Sequence, residues 1–289
     1  MSERIPMPMP FGWFQVAYSQ ELAVADSMPL RYFDTDLVLF RTEGGEARVL
    51  DAFCPHMGAH LGYGIRDQAG GGSAVVGDSI VCPFHGWAYN GDGQCTDVPY
   101  ANNPPPKIAR GEQVIRPWPV RELNQVIFVW YHPDGIEPTF EPELIEEAAT
   151  DNNDWGAFKI HTWDIDTHMQ EIGENAVDPA HFLYVHGTQN IPTPDEMEFD
   201  GVLRTGRLVS KMATPRGEIT GVIANRSTGP GQATVRFSGI CETVLMANLT
   251  PVDQEHSKAF YAFIQMKVDG EEPVGGVADA IVADICKQM

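Results

Sequence analysis

The pattern of hydrophobic and polar positions changes near residue 135. Before that point, short apolar runs rich in β-branched and aromatic residues predict strands, for example at residues 37–40, 79–82 and 126–130. Gly, Pro and Asn-Gly steps separate these runs, as expected of tight turns between short strands. Residues 1–135 are therefore predicted to form an all-β domain.

Residues 136–289 combine helical segments with longer strands. An acidic segment at 142–149, a segment at 167–177 and a final segment from about residue 276 are predicted to be helical. Between them, long apolar segments predict strands at 201–224, 233–250 and 259–268. The predicted fold class is α+β, with an all-β domain followed by an α+β domain that contains an antiparallel sheet.

Composition and charge exclude several classes of protein. The chain has 289 residues, 43% of them hydrophobic, which is enough for two packed cores. Forty acidic and nineteen basic side chains give a net charge of −21, which argues against nucleic acid or an anionic membrane as a partner. Prolines near the N-terminus interrupt the apolar run that a signal peptide would need, and no apolar run is long enough to predict a membrane span. The five cysteines are an odd number and unevenly placed, unlike a disulfide framework. We expect a cytoplasmic protein.

Two pairs of cysteine and histidine carry the strongest chemical signal. Cys54-x-His56 and Cys82-x-x-His85 lie in turn-rich segments and together offer two thiolates and two imidazoles. Zinc accepts such a ligand set, so a structural zinc site is one alternative. In a Rieske cluster one iron takes both cysteines and the other both histidines, so each loop must supply one of each. The order within the two pairs favours the cluster.

A second constellation lies in the α+β half. Asn175, Asp178 and His181 recur at every third residue, and an Asp-Pro step suits the start of a helix. His181 and His186 would point about 140° apart on a regular helix, so joint metal binding requires the helix to end between them, for which Gly187 is a candidate stop. Two histidines and a carboxylate can hold Fe(II) with open positions for dioxygen. The alternative is a buried polar face of a helix.

Together these motifs resemble those of the Rieske non-haem iron oxygenases, in their oxygenase (alpha) component. The resemblance covers nearly the whole chain and includes Gly58 and Leu61 after the first pair and Gly86 and Trp87 after the second. One departure is a longer connection between the pairs, where residues 65–74 have the character of an inserted loop. The resemblance implies a [2Fe–2S] cluster, a mononuclear Fe(II) and a helix-grip-like second domain.

The resemblance also assigns roles to residues. The implied cluster ligands are Cys54, His56, Cys82 and His85, and the implied iron ligands are His181 and His186. Asp178 would connect the two sites across neighbouring subunits of a head-to-tail homotrimer, accepting hydrogen bonds from a cluster histidine and from His181; a simple helix cap is the alternative. Asn175 is a further candidate catalytic residue. Electrons would come from a reductase or ferredoxin.

The run Glu-Asn-x-x-Asp-x-Ala-His-Phe-x-x-x-His most resembles the 3-ketosteroid 9α-hydroxylase and cholesterol-desaturase branch. It implies a monooxygenase that uses dioxygen on a hydrophobic, polycyclic, steroid-like or aromatic substrate. Candidate pocket walls in the predicted strands are Val244, Leu245, Met246, Phe260 and Phe263, and ordinary core positions are the alternative for each. Ring dihydroxylation and O-demethylation stay open as alternatives. A Rieske electron carrier without catalysis is a third alternative, which the pair of His181 and His186 disfavours.

Two finer expectations concern the metal sites. The Tyr89 hydroxyl either donates a hydrogen bond to a cluster sulfur or belongs to a core aromatic ring. Relatives place the carboxylate ligand of the mononuclear iron in a late helix, where Asp279 and Asp284 are the carboxylates available here. Both are expected on the helix surface, so we expect a chain truncated at its C-terminus, with the third ligand beyond Met289.

Overall fold

The computed structural model describes residues 7–63, 74–175, 177–214, 217–239 and 241–288. These residues form two compact units: one is Val16–Pro138, and the other contains the described residues before 16 and after 138. The insertion expected at 65–74 lies outside the described residues, apart from Ala74. Within the described ranges, no helix is both long enough and apolar enough to cross a membrane.

The strands up to residue 131 are short because turns follow each apolar run closely. They are β1 (Gly12–Tyr18), β2 (Ser27–Tyr32), β3 (Thr35–Arg41), β4 (Ala47–Asp51), β5 (Val75–Val76), β6 (Ser79–Val81), β7 (Ala88–Asn90), β8 (Cys95–Asp97), β9 (Pro117–Trp118), β10 (Val120–Leu123) and β11 (Val126–Tyr131), with one short helix, α1 (Pro106–Ala109). They form sheets of order β2-β3-β4-β9, β5-β6-β7-β8 and β1-β11-β10. Buried side chains of β3, β4, β6 and β7 pack together into one core. The prediction for this half is confirmed.

The remaining strands form one antiparallel sheet of seven strands, in the order β12-β18-β17-β16-β15-β14-β13. The elements are β12 (Lys159–Ile165), α2 (Met169–Asn175), α3 (Ala180–Tyr184), β13 (Thr193–Asp200), β14 (Leu203–Thr214), β15 (Gly217–Thr228), β16 (Gln232–Ser238), β17 (Thr243–Pro251), β18 (Ser257–Gln265) and α4 (Gly276–Ile285). Val282 and Ile285 of α4 pack against Leu245 and Tyr261 of the sheet. This arrangement confirms the α+β class.

The acidic segment at 142–149 is not the helix predicted from its sequence. It contains only a 3-10 turn, Glu146–Ala148. Glu143 pairs with Arg226 at 2.6 Å, and Glu147 pairs with Arg236 at 2.8 Å. Because these carboxylates reach arginines of the sheet, tertiary ion pairs and not local helix propensity determine the backbone here.

The predicted long strands at 201–224 and 233–250 are each two strands. The first becomes β14 and β15, which pair antiparallel, and the second becomes β16 and β17, which also pair. Apolar alternation continues through both members of a hairpin, so it does not show where the chain reverses.

Candidate metal centres

The two Cys-and-His pairs lie in two loops that are closed by the same pattern of backbone hydrogen bonds. In each loop the cysteine N–H donates to the carbonyl five residues later, at 2.9 Å for Cys54 and 2.7 Å for Cys82. The cysteine carbonyl in turn accepts the N–H of a glycine, at 2.8 Å from Gly58 and 3.0 Å from Gly86. Both glycines have φ of 74°, a conformation that other residues adopt only with strain. The glycines after each pair therefore shape the loops that present the cysteines.

The two cysteines of these loops contact each other, and so do the two histidines. The Cys82 thiol shares a hydrogen bond with the Cys54 sulfur, which lowers the pKa of Cys54 and raises the pKa of Cys82. The rings of His56 and His85 lie 4.8 Å apart. Both Nδ1 atoms are buried, with no hydrogen-bond partner in the described part of the chain. Two adjacent sulfurs and two buried, unsatisfied imidazole nitrogens are the donors that a [2Fe–2S] centre of this type requires.

Aromatic side chains surround this donor set. The Tyr89 hydroxyl lies 3.0 Å from the Cys54 sulfur, and the tyrosine is fully buried. Burial and this contact both raise the pKa of Tyr89, so the hydroxyl stays protonated and can donate to the sulfur. Of the two roles considered for Tyr89, the contact of its hydroxyl with the Cys54 sulfur is present, and the ring is also part of the buried core. Trp87 stacks on His56, with ring centroids 4.4 Å apart, and donates through Nε1 to Tyr100 at 2.8 Å.

The segments that carry the two histidines also carry exposed apolar side chains, called here the apolar rim; Phe84 and Tyr100 lie beside His85, with ring centroids 4.1 and 6.4 Å away. His56 and His85 are only half-buried although their Nδ1 atoms are enclosed, so the exposed part of each ring lies toward Nε2. The rim consists of the exposed side chains of Phe53, Met57, Tyr63, Phe84 and Tyr100. Exposed apolar clusters of this kind mark surfaces that bind a protein partner.

The second pair of histidines lies where helix α3 ends. The helix stops at Tyr184, between His181 and His186, and the Val185 N–H closes its last turn onto the His181 carbonyl. Gly187 follows with φ of 65°. The two imidazole rings lie 5.4 Å apart, closer than a continuous helix would allow for residues with this spacing. The predicted end of the helix between them is confirmed.

Both histidines have an engaged Nδ1 and an Nε2 left to bind a metal. His181 Nδ1 lies 2.5 Å from the Asp178 carbonyl, and His186 Nδ1 lies 3.1 Å from Oδ2 of Asp284. Contacts of this kind fix the orientation of metal-binding histidines. Lys287 donates to Oδ1 of Asp284 at 2.7 Å. Burial is the main cause that lowers the pKa of His181, which favours the neutral ring that a metal needs.

Asp178 differs in detail from the sequence-based expectation. Its carboxylate accepts the Ala180 N–H at 2.8 Å, and Pro179 is the N-cap, so α3 begins one residue later than predicted. In this chain the backbone carbonyl of Asp178, and not its carboxylate, contacts His181. Asn175 is the last residue of α2 and lines the cavity described below.

The two aspartates of α4 have different surroundings. Asp279 pairs with Lys159 at 3.2 Å and fits the expected surface role. Asp284 faces His186, so a surface role for it is wrong; the sequence could not show a contact between residues so distant in the chain. Across the described ranges, no three His, Cys, Asp or Glu side chains meet at a single point as one-metal ligands.

A cavity of about 1510 Å³ adjoins the histidine pair, larger than typical ligand pockets of roughly 300–1,000 Å³. One face of the seven-stranded sheet forms its wall, with Leu208, Ile223, Leu245 and Tyr261 among the lining residues. Of the five predicted wall residues, Leu245 is the one that lines it. Successive residues of a strand face opposite sides of a sheet, so neighbours of Leu245 in β17 point away from the cavity.

His168 also lines the cavity, and no motif in the sequence singles it out. The side chain is 3% exposed. Its Nδ1 accepts the Gln170 N–H at 3.1 Å, so the proton lies on Nε2, which has no partner among the described residues. A polar residue just before a helix is usually interpreted as a helix cap, so sequence alone does not indicate that His168 lines a cavity.

Comparison with known families agrees with this geometry. Residues 129–289 match the model of the 3-ketosteroid 9alpha-hydroxylase C-terminal domain, and residues 12–119 match the Rieske [2Fe-2S] domain. The chain belongs to the Rieske non-haem iron oxygenases. This family uses a [2Fe–2S] cluster and a non-haem iron, which confirms both cofactors expected from the sequence.

Curated relatives of this Rieske oxygenase chain act on sterols and steroids, according to their names. It is 36% identical over 187 residues to cholesterol 7-desaturase nvd 1 of Ciona intestinalis, covering 64% of this chain and 36% of that protein. It is 38% identical over 176 residues to a 3-ketosteroid-9-alpha-monooxygenase, oxygenase component, of Rhodococcus rhodochrous, covering 61% of this chain and 43% of that protein. The chain thus matches less than half the length of these relatives.

Solved structures share the fold of this Rieske oxygenase chain. Dicamba monooxygenase bound to dicamba superposes with a TM-score of 0.67 at 19% identity, covering 96% of this chain and 81% of that one. The Pseudomonas putida CBB5 NdmA QL mutant with caffeine gives a TM-score of 0.68 at 21% identity, covering 96% and 79%. At these identities the match confirms the fold.

Proposed function

We propose that this chain belongs to an oxygenase component that hydroxylates a hydrophobic, steroid-like substrate with dioxygen. The observation that carries the proposal is the position of His181 and His186 on a large apolar cavity, in a chain that also has the cluster loops. An electron carrier without catalysis has no use for a second metal site beside such a cavity. Monooxygenation is favoured because a named relative is a monooxygenase, whereas the solved structures support the fold alone.

The Rieske unit, assigned here to residues 1–135, delivers electrons one at a time when its cluster is bound. Cys54 and Cys82 would hold one iron of the cluster, and His56 and His85 would hold the other through their enclosed Nδ1 atoms. Tyr89 donates to the Cys54 sulfur and stabilises added negative charge there. The apolar rim docks on a neighbouring subunit in a homotrimer, with the two histidines facing the contact. A reductase or ferredoxin supplies the electrons.

The catalytic unit, assigned to residues 136–289, binds the substrate and the mononuclear iron. The iron, when bound, activates dioxygen. His181 and His186 present Nε2, because their Nδ1 atoms are engaged by Asp178 and Asp284. The apolar sheet face excludes water from the bound substrate. The Asp178 carboxylate connects the site to a cluster histidine of the adjacent subunit, and Asn175 positions the substrate at the cavity wall.

We place the protein in the cytoplasm, as a partner of small molecules and redox proteins. The net charge of −21 disfavours nucleic acid and anionic lipid as partners. The five cysteines of the chain are free, as suits a reducing compartment.

The test is product analysis with the full chain, loaded anaerobically with cluster and iron. A reductase–ferredoxin pair, labelled dioxygen and a panel of neutral and acidic steroids and aromatic compounds are added. We expect a product hydroxylated with one labelled oxygen atom, and none from a His181→Ala variant that keeps the cluster spectrum. A cis-diol would indicate ring dihydroxylation, and formaldehyde released from a methoxy compound would indicate demethylation. Cluster reoxidation without any oxygenated product would refute the proposal.

A further inference from the structure

Arg204 places a guanidinium on the cavity wall without a carboxylate partner. It belongs to β14 and lines the cavity together with Ser227 and Leu208. Its Nη2 donates to the Ser227 hydroxyl at 3.1 Å, while its Nε is buried and has no partner among the described residues. Burial lowers the pKa of Arg204, because the surroundings remove water without supplying a counter-charge. A half-buried guanidinium without a carboxylate partner, on the wall of a cavity, is a candidate site for an acceptor from outside the protein.

Strand alternation explains why Arg204 lacks a protein partner. Arg204 lies directly opposite Ser227, so both face the cavity. Arg226, one residue earlier in β15, faces the other side of the sheet and pairs with Glu143 at 2.6 Å. Glu198 of β13 lies opposite the residue after Arg204, so it also faces away from the cavity. Glu143 and Glu198 are thus on the opposite face of the sheet. The acidic residues that line the cavity, Glu171, Glu174 and Asp284, belong to helices α2 and α4 and form no ion pair with Arg204 in the described structure.

Strand β14, which carries Arg204, and strand β18, which lies near the contact of His186 with Asp284, line the same cavity. Strands β14 and β18 are separated by four steps in the sheet, which corresponds to about 19 Å. Tyr261 of β18 packs against Ile285, the neighbour of Asp284, which contacts His186. An elongated apolar molecule that reaches the histidines would therefore bring its far end toward the arginine.

We propose that Arg204 binds a carboxylate at the end of the substrate remote from the carbon that is oxidised. The inference deepens the proposed function and rests on it. Arginine binds carboxylates through its guanidinium N–H donors. Because Nε of Arg204 is enclosed, its Nη groups are the donors that a ligand in the cavity could reach. A carboxylate would neutralise the positive charge of Arg204 and accept its hydrogen bonds. A neutral carbonyl would accept a hydrogen bond but leave the charge without a counter-charge. The structure therefore favours an acidic polycyclic substrate over a neutral one.

The test compares a matched pair of probes, 3-oxo-4-androstene-17β-carboxylate and its methyl ester. Binding to the full chain, loaded with cluster and iron, is measured by calorimetry without dioxygen. We expect the acid to bind roughly 10- to 100-fold more tightly than the ester. Arg204→Met should weaken binding of the acid by that factor and change the affinity for the ester by less than about threefold. Arg204→Lys should keep part of the preference, since it keeps the charge but not the planar donor pair.

Arg226→Met is the matched control, because that arginine lies on the next strand and faces away from the cavity. It should keep the full preference for the acid. Ester binding also reports that the Arg204→Met variant is folded. Equal affinity for the two probes in the unmodified chain, no measurable binding of the acid, or an equal loss for both probes in Arg204→Met would overturn the inference. Hydroxylation is scored separately: an acid preference lost in Arg204→Met, without oxygenation of either probe, supports the site and refutes the proposed function.

Discussion

Replacing Tyr89 by Phe should lower the reduction potential of the cluster without removing the cluster. The substitution deletes one hydroxyl, 3.0 Å from the Cys54 sulfur, and keeps a fully buried ring in place. Reduction adds negative charge to the cluster and its sulfur ligands. A donor at that distance therefore stabilises the reduced form more than the oxidised form, and its loss favours the oxidised form.

The size of the shift follows from the energy of one hydrogen bond. A net contribution of about 0.5–1.5 kcal/mol corresponds, for transfer of one electron, to about 20–65 mV. We expect the reduction potential of the Tyr89→Phe cluster to be lower by that amount, as measured in a redox titration monitored by electron paramagnetic resonance. Iron and sulfide content should equal those of the unmodified chain.

Tyr100→Phe is the matched control for this measurement. Tyr100 also lies beside the cluster loops, but its hydroxyl accepts from Trp87 Nε1 and is not bonded to a cysteine sulfur in the described structure. Its removal should change the potential by less than about 10 mV, because no donor to sulfur is lost. An unchanged or higher potential in Tyr89→Phe, or equal shifts in both variants, would show that the reasoning is wrong.

Three further variants test the assigned roles. Cys54→Ser should abolish the cluster, so that a full Rieske spectrum in this variant would contradict its role as a ligand. Asp178→Asn should leave both metals bound and lower turnover roughly 10- to 100-fold, since the amide oxygen can still cap helix α3; loss of iron would instead reduce Asp178 to a structural cap. Asp284→Ala should weaken iron retention at the mononuclear site roughly tenfold, because His186 loses its orienting contact, while Asp279→Ala on the same helix should retain iron; equal retention in both would refute this role.

The cluster loops could be predicted from sequence because their determinants are local. The spacing within Cys54-x-His56 and the glycine that follows specify one loop and its donors without reference to distant residues. The end of helix α3 was likewise predictable, because His181 and His186 impose a geometric requirement on a short segment. Features that depend only on the spacing of residues near each other in the chain can therefore be predicted from the sequence.

The contacts that line the cavity depend on how distant parts of the chain pair and pack. They could not be predicted from local spacing. Asp284 meets His186 only because α4 packs back on the sheet, 98 residues later in the chain. Arg204 faces the cavity, and Arg226 faces away, through a pairing register that hydrophobic alternation does not fix between hairpin partners. The strand Thr193–Asp200 was not predicted, since its described side chains are mostly exposed and polar.

The self-contained closure of the two cluster loops has a consequence for how such chains diverge. Each cysteine is tied by backbone hydrogen bonds to residues at most five positions later, within its own loop. The connection between the loops therefore experiences little selection for a fixed length, and insertions there are tolerated at small entropic cost. A sequence signature for these proteins should hold the spacing inside each loop constant, including Gly58 and Gly86, and leave the distance between the loops unrestricted.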